Sequence, residues 1–227
     1  MKLRQAIPYD KMKNIILDCE DERTQALIAF QYACGCRVGE LVTYQHRKLK
    51  PEMKRKIKRF KSRHEAKTGN IPNVIMKDEY FVNSMTYGIK KKDLTTKESD
   101  KGGQLLKIML ENFKAPSIDQ KGCSVSSKSE KWLYNVIVGF AKSREGALFR
   151  FGQSWARKLV DAELKKYNSD WSTHWLRHAR ITHWVEKFNQ PLTTVQWYAG
   201  HTNLASTSIY THPDRQMAED RMVTAEL

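Results

Sequence analysis

Apolar residues between Asp21 and Gly35 recur at intervals of three and four positions, which is the spacing of one face of an α-helix. Asp21 is a typical N-cap residue and Gly35 suits a helix end, so both boundaries of this helix are predicted. Further helices are predicted over about residues 8–19, 39–42, 105–110, 132–140, 153–167, 174–188, 192–198 and from 203 onward. A chain patterned in this way folds mainly as helices packed on one another.

One short antiparallel hairpin is the β-structure that the sequence predicts. A strand ends near Lys67, a turn follows at Thr68-Gly69-Asn70, and a return strand runs through residues 74–76. Residues 88–103 and 116–128 are predicted to be loops, because they are polar and contain Gly, Ser or Pro. The predicted fold class is α+β, mainly α, with one small antiparallel β-sheet or hairpin.

The chain carries a large positive charge, with 40 Lys and Arg against 25 Asp and Glu, a net of +15. Residues 47–67 alone hold eleven Lys or Arg and two Glu. Such a charge attracts phosphate, so nucleic acid is the first partner expected and an anionic membrane the second. The apolar stretches are far below the ~18 residues of a membrane span. The first residues also lack the apolar region of a secretory signal, so a cytoplasmic protein is predicted.

The four cysteines stand at positions 19, 34, 36 and 123, and none of them forms a Cys-x-x-Cys pair. The close pair at 34 and 36 has no second pair at the spacing of a zinc finger. Reduced and mostly buried thiols are therefore predicted.

Two histidines share one face of a predicted helix. His174 and Arg177 are three positions apart, and His178 lies four positions from His174. A His-x-x-x-His pair can bind zinc, but the metalloprotease pattern has Glu directly after the first His, where this chain has Trp175. The alternative is that both histidines are structural and lie at the rim of a core.

Four further residues are weak signals one at a time. His201 follows Gly200 at a predicted helix start, where backbone N–H groups favour an anion. Arg37 has Glu40 three positions on, which predicts a structural ion pair just as well. Lys67 at a turn is usually only solvated, and Tyr210 alone is most simply a packing residue. Their joint order, Arg, Lys, His-x-x-Arg, Gly-His and Tyr, is far more specific.

That order resembles the catalytic domain of the tyrosine recombinases, the phage-integrase type. Gly35–Leu41 resembles the segment of the first arginine, and Ala66–Gly69 resembles the β-hairpin lysine. His174–His178 resembles the second conserved segment of that family. Ala199–His201, followed by Thr207–His212, resembles the region of the histidine and the tyrosine nucleophile.

The resemblance runs from about residue 8 to 215 and implies that residues 1–227 form a single tyrosine recombinase catalytic domain. The N-terminal core-binding domain typical of the family is expected to be absent. Lys67 and His174 are 107 positions apart, more than the family leads us to expect, and the surplus is predicted to lie within residues 88–130. Residues 213–227 are predicted to form a C-terminal helix that docks on a neighbouring protomer.

The resemblance also implies a reaction in which a DNA phosphodiester is transferred to a tyrosine. Tyr210 would attack phosphorus and form a 3′-phosphotyrosyl link, with His174 as general base. Lys67 would protonate the departing 5′ oxygen as general acid. Because the phosphotyrosyl link conserves the bond energy, no ATP is expected. No metal cofactor is expected either, because two guanidiniums would supply the charge of a metal ion.

The transition state of that reaction concentrates negative charge on phosphorus, and the resemblance implies that Arg37, Arg177 and His201 stabilise it. The implied partner is a double-stranded DNA recombination site, bound by several protomers in a tetrameric synapse. The basic side chains that are predicted to contact this DNA are Lys54, Arg55, Lys58, Arg59, Lys61, Arg63, Arg157 and Lys158.

Three other functions stay open at this point. A type IB topoisomerase resembles the same catalytic set and would relax supercoils without a second site. A DNA-binding module could keep the fold without activity. The His174 and His178 pair leaves a zinc-dependent hydrolase as the third.

Overall fold

The computed structural model describes residues 6–42, 44–72, 81–100, 102–111 and 120–200, apart from the side chains of 44–49, 81–87, 111, 120 and 121. The chain divides into two compact units. The larger unit comprises Met1–Thr43 and Gly88–Leu227, and the smaller unit comprises Tyr44–Tyr87. Each unit is described by itself below.

The larger unit is mainly helical, as predicted. Its helices precede and follow a small antiparallel sheet, and most of them begin and end close to the predicted boundaries. They are α1 (Tyr9–Leu17), α2 (Glu22–Cys34), α3 (Val38–Leu41), α5 (Lys131–Lys142), α6 (Gln153–Lys165), α7 (Thr173–Glu186) and α8 (Leu192–Ala199).

Helix α2 is the centre of the core. Apart from its first turn and Gln25 it is buried, and it packs against α1, α5, α6 and α7. The carboxylate of Asp21 caps it by accepting a hydrogen bond from the backbone N–H of Thr24 at 2.8 Å. Gly35 ends it in the left-handed conformation with a φ of 52°. A Cβ atom at Gly35 would lie 2.9 Å from the Trp184 ring, so both the backbone and the packing require glycine here.

The sheet of the larger unit contains β3 (Leu94–Glu98), β4 (Gln104–Glu111) and β5 (Gln120–Ser126), paired antiparallel in that order. The helix predicted over 105–110 is wrong, because this segment is strand β4. Leu106, Ile108 and Leu110 are buried while Lys107 is exposed, which is the two-residue period of a strand. The loops predicted over 88–103 and 116–128 are likewise wrong in part, since they contain β3 and β5.

The smaller unit pairs β1 (Tyr44–Leu49) with β2 (Phe81–Tyr87) in antiparallel register, with helix α4 (Pro51–Thr68) between them. The strand predicted to end near Lys67 is therefore wrong: the segment is an 18-residue helix. Pro51 begins α4 and Gly69, with a φ of 70°, ends it. The return strand predicted through 74–76 lies outside the described residues.

All four cysteines are buried free thiols, as predicted. The Sγ atoms of Cys34 on α2 and Cys123 on β5 lie 3.3 Å apart. Among the residues that the structure describes, no helix is both long enough and apolar enough to cross a lipid bilayer.

Candidate active site

Arg177 on α7 joins the ends of two other helices. Its side chain is buried, with an exposed fraction of 4%. Nη1 donates a hydrogen bond to the Gly35 carbonyl oxygen at 2.6 Å, and Nη2 donates one to the Ala199 carbonyl oxygen at 2.7 Å. Gly35 follows α2 and Ala199 ends α8. The guanidinium therefore brings together the three segments that the sequence singles out.

Arg37 lies two positions beyond Gly35, at the N-cap of α3. Its backbone N–H donates a hydrogen bond to the Glu40 carboxylate at 2.7 Å, and its Nη1 lies 3.8 Å from the same carboxylate. Glu40 is buried, whereas 38% of the Arg37 side chain is exposed. The predicted ion pair of Arg37 and Glu40 is present, but only Glu40 is buried, and the Arg37 guanidinium reaches the surface.

His174 stands in the first turn of α7 and is exposed. Partial desolvation and the positive charges of Arg177 and Arg37 lower the pKa of His174 below 6.5. Arg177 lies three positions after His174 on the same helix, and it binds the carbonyl oxygen of Gly35, two positions before Arg37. A neutral imidazole at pH 7 can accept a proton.

A buried ion pair supports helix α7 on its other side. Arg180 donates two hydrogen bonds to the Glu130 carboxylate, at 2.6 and 2.9 Å, and both side chains are almost fully buried. Burial opposes the charge of Arg180, but the neighbouring Glu130 carboxylate outweighs it and raises the pKa of the guanidinium, so Arg180 stays charged. The sequence pattern did not indicate this pair, because nothing local links residues fifty positions apart.

His183, also on α7, belongs to the same buried region. Its Nδ1 lies 2.8 Å from the Tyr32 hydroxyl, so a neutral ring accepts a hydrogen bond from that group. Burial, followed by the charge of Arg180, lowers the pKa of His183 to about 4. His183 is therefore a neutral structural residue.

Helix α8 ends at Gly200, which adopts the left-handed conformation with a φ of 64°. The chain thus turns directly after Ala199, the residue that accepts the hydrogen bond from Arg177. His201 and Tyr210 lie outside the described residues, as does the C-terminal helix predicted over 213–227. Their roles stay predictions.

Lys67 lies in the last turn of α4, in the smaller unit, and is not at a hairpin turn. The larger unit contains a hairpin of its own, formed by β3 and β4 and closed through Ser99, Gly102 and Gly103. Lys97 is an exposed residue of β3, opposite Leu105. The paired glycines at 102 and 103 are the sequence signal that could have located this hairpin.

The predicted DNA-contacting residues occupy two helices. Arg157 and Lys158 are exposed on α6 of the larger unit. The others lie on α4 of the smaller unit, exposed except for the half-buried Lys61: they are Lys54, Arg55, Lys58, Arg59, Lys61 and Arg63. Over the described ranges, no group of three or more His, Cys, Asp or Glu side chains could bind a metal ion.

Known proteins resemble this chain in both sequence and fold. The family model "Phage integrase family" matches residues 7–217. Tyrosine recombinase XerC of Chlamydia trachomatis serovar L2 is 35% identical over 71 residues, which is 29% of this chain and 22% of the relative. XerC of Vibrio cholerae serotype O1 (strain O395) is 37% identical over 94 residues, which is 38% of this chain and 30% of the relative.

A solved structure of the XerH site-specific recombinase bound to its difH substrate superposes with a TM-score of 0.58 at 16% identity. The superposition covers 100% of this chain and 56% of XerH. At this identity the likeness concerns the fold, and that fold agrees with the helices and small sheet described above. The chain therefore belongs to the phage integrase family, and its fold is that of tyrosine recombinase catalytic domains.

Proposed function

We propose that this protein is a site-specific DNA recombinase that cuts and rejoins DNA through a 3′-phosphotyrosyl intermediate. One observation carries the proposal: Arg177 binds the carbonyl groups of Gly35 and Ala199. Arg177 shares α7 with His174, Arg37 follows Gly35 by two positions, and His201 and Tyr210 follow Ala199 in the sequence. XerH, which shares the fold, is a site-specific recombinase whose structure was solved with its difH substrate bound.

The nucleophile of this reaction is Tyr210. A phenol has a pKa of about 10, so its proton must leave before or during attack. His174, held neutral near pH 7, accepts that proton. The Tyr210 oxygen forms a bond to phosphorus, the bond from phosphorus to the 5′ oxygen breaks, and the DNA is left with a free 5′ hydroxyl. Attack by a 5′ hydroxyl reverses each step and restores the phosphodiester.

Positive charge at the phosphate comes from two arginines. Arg177 is fixed by backbone carbonyls, so it does not have to reorganise as charge develops, and the Arg37 guanidinium lies 3.8 Å from Glu40. Planar guanidiniums bind phosphate oxygens through two donors at once. Arg177 binds the Ala199 carbonyl oxygen, and His201 is two positions further along the sequence. In the proposed reaction His201 donates a further hydrogen bond to the phosphate. The charge that a metal ion supplies in other phosphoryl-transfer sites is here supplied by side chains.

The general acid is assigned to Lys97 in preference to Lys67. The departing 5′ oxygen needs a proton, and the family resemblance implies a lysine on a β-hairpin. Lys97 lies on the hairpin of the larger unit, which also contains Arg37, His174 and Arg177. Lys67 lies on a helix of the other unit. Lys97 is 77 positions from His174 instead of 107, which removes the excess spacing.

Recombination joins two duplexes, so several protomers act together in the proposed reaction. We assign the double-stranded recombination site as substrate and a tetrameric synapse as the active assembly. Residues 213–227 would dock on a neighbouring protomer in that assembly. Size-exclusion chromatography on paired sites tests this part, because a chain truncated at 212 should then fail to form the full assembly.

The proposed function is tested by covalent capture on a library of nicked DNA sites that release the 5′ end after cleavage. The wild-type chain should form a covalent adduct with one sequence class, and Tyr210→Phe should bind DNA without forming it. Tyr167→Phe, a half-exposed tyrosine at the end of α6, is the matched control and should form the adduct. An adduct on Tyr210→Phe would refute the assigned nucleophile, and no adduct from the wild-type chain would indicate an idle DNA-binding module.

The same captured site distinguishes a recombinase from a type IB topoisomerase. Exchange of strands between two copies of the site supports recombination. Relaxation of a supercoiled plasmid without exchange would support the topoisomerase.

A further inference from the structure

The smaller unit is inserted in the chain between two segments of the larger unit that are hydrogen-bonded to each other. The backbone N–H of Ile89 donates a hydrogen bond to the Leu41 carbonyl oxygen at 3.0 Å. Within the smaller unit, Tyr44 and Tyr87 are paired residues of β1 and β2. The chain therefore leaves and re-enters the larger unit at adjacent positions, which is the geometry of an inserted module.

Helix α4 dominates this insert and has no buried residue. Arg55, Arg59 and Arg63 are exposed and follow one another at four-residue intervals, which places them on one side of the helix about 6 Å apart along its axis. Lys54 and Lys58 repeat the pattern on the neighbouring side. The helix thus presents rows of positive charge along ~12 Å of its length.

Those rows oppose the stability of the helix itself. Like charges four positions apart repel one another and destabilise a helix. Helix α4 contains four such pairs, while only Glu52 and Glu65 supply negative charge within it. Because no residue of the helix is buried, packing offsets little of this cost. A polyanion bound along the helix would attract these basic side chains and offset their mutual repulsion. The charge pattern therefore favours a polyanionic partner.

Two polyanionic surfaces could do this, a nucleic acid duplex or an anionic membrane. A membrane-surface helix needs a broad apolar face, whereas the apolar residues of α4 are limited to Met53, Ile57, Phe60 and Ala66. Basic residues occupy most of the remaining circumference. An α-helix with side chains is about as wide as the DNA major groove, so its two sides can face phosphates on both strands.

We infer that residues 44–87 are an inserted DNA-binding module whose helix α4 contacts the phosphate backbone of duplex DNA through Arg55, Arg59 and Arg63. The inference relies on the proposed function only for the class of partner. It assigns affinity to this insert and the reaction to the larger unit. Its test therefore measures binding, which does not depend on cleavage.

The test compares the full-length wild-type chain with Arg55→Gln/Arg59→Gln/Arg63→Gln. Binding to a fluorescent duplex is measured by anisotropy between 50 and 200 mM salt. Each lost phosphate contact should reduce the slope of log affinity against log salt by about 0.9, so the triple variant should lose about 2.7. The ratio of the wild-type affinity to the affinity of the triple variant should then fall by roughly 40-fold between 50 and 200 mM salt.

A control variant carries the same change in charge on the larger unit. Lys92→Gln/Lys131→Gln/Lys142→Gln alters three exposed lysines and should keep a slope within about 1 of the wild type. If the arginine triple variant keeps the wild-type slope, or loses no more slope than this control, the inference is overturned.

A second variant removes the possibility that misfolding mimics the result. Thr43 is joined to Gly88 by a short Gly-Ser linker in place of 44–87, which the bond between Leu41 and Ile89 permits. This chain should unfold cooperatively and show a slope reduced at least as much as that of the triple variant. A wild-type slope in the excised chain would contradict the inference.

Flotation with phosphatidylserine vesicles covers the membrane alternative. The partner of the insert would be a membrane if two results came together. The wild type would bind the vesicles and the triple variant would not, while the salt slope for DNA would be the same in both. Failure of the proposed function gives a different result, since the covalent adduct would be missing while the DNA slope still depended on the three arginines.

Discussion

The Nη1 atom of Arg177 lies 2.6 Å from the carbonyl oxygen of Gly35, although 142 positions of sequence separate the two residues. A side chain proposed to stabilise the reacting phosphate is thus also a structural link between α7 and the end of α2. The same guanidinium reaches Ala199. Substitutions at Arg177 should consequently affect both the reaction and the stability of the fold.

Replacing Arg177 by Lys tests this double role. Lysine keeps the charge but lacks the planar fork, so it cannot reproduce two bonds in fixed directions. We expect cleavage of a nicked substrate to slow by about 10²-fold or more, with a loss of about 1.5–3 kcal/mol in the free energy of unfolding. Arg150→Lys, at an exposed arginine, is the control and should change neither quantity by much. Wild-type cleavage by Arg177→Lys would contradict the assignment.

The proposed general acid can be identified with a modified substrate. Lys97→Ala should lower the cleavage rate by about 10²-fold or more, because the 5′ oxygen then leaves without a proton. When sulfur replaces that oxygen, the leaving group is a thiolate. A thiol has a pKa of about 8.5, so the thiolate can leave without being protonated. The sulfur substrate should restore the rate of Lys97→Ala. The opposite pattern, with Lys67→Ala impaired and rescued by sulfur, would return the role to Lys67.

The state of His174 predicts how cleavage depends on pH. Its pKa is lowered by partial desolvation and by the charges of Arg177 and Arg37, so the ring loses its proton below pH 6.5. The apparent second-order rate constant of cleavage should therefore fall only when the pH drops below 6.5. His174→Gln should remove this limb, whereas His64→Gln in the smaller unit should retain it. A midpoint at or above 6.5 would argue against His174 as the base.

Acid should destabilise the protein through His183. Its pKa is about 4 in the folded chain and near 6.5 when unfolded, so between these values the unfolded chain binds more protons. Stability is fully present above pH 6.5 and is lost as the pH falls toward 4, by roughly 3 kcal/mol. Urea unfolding of the wild type and of His183→Asn at pH 7 and pH 4.5 measures the difference. Equal pH dependence in the two proteins would show that His183 is not responsible.

The buried pair of Arg180 and Glu130 should be far more sensitive than a surface pair. Glu130→Gln leaves a buried guanidinium without its counter-ion and should cost about 3–5 kcal/mol of unfolding free energy. Glu22→Gln is the matched control. It removes a carboxylate that is 65% exposed and lies 3.3 Å from Arg144, so it should cost less than about 1 kcal/mol. Similar losses from both variants would contradict this account of the core.

Local signals were enough to predict the elements that bear most of the site. Asp21, Gly35 and Gly200 mark helix boundaries through their own backbone preferences, so the ends of α2 and α8 follow from the sequence. The face shared by His174 and Arg177 follows from helical spacing alone. The family to which the chain belongs could also be predicted, because the order of the motif residues survives changes in the distances between them.

Elements whose identity depends on the rest of the fold could not be predicted. The apolar run at 105–110 suits a helix or a strand, and only its pairing with β3 and β5 makes it a strand. The segment of helix α4 near Lys67 was predicted as a strand because Thr68-Gly69-Asn70 before the apolar residues 74–76 suits a hairpin turn, although Pro51 and Gly69 are ordinary helix boundaries. The pair of Glu130 and Arg180 and the bonds of Arg177 are long-range contacts with no local signature.

The bond between Leu41 and Ile89 has a consequence for how relatives of this protein are compared. The entropic cost of closing a loop grows only with the logarithm of its length. Because Leu41 and Ile89 are hydrogen-bonded to each other, the stability of the larger unit should depend little on the number of residues inserted between them. Lineages can lengthen or shorten that excursion at little thermodynamic penalty. Distances counted along the chain across this junction are thus poor guides to ancestry, and alignments that penalise long gaps will misplace the lysine beyond it.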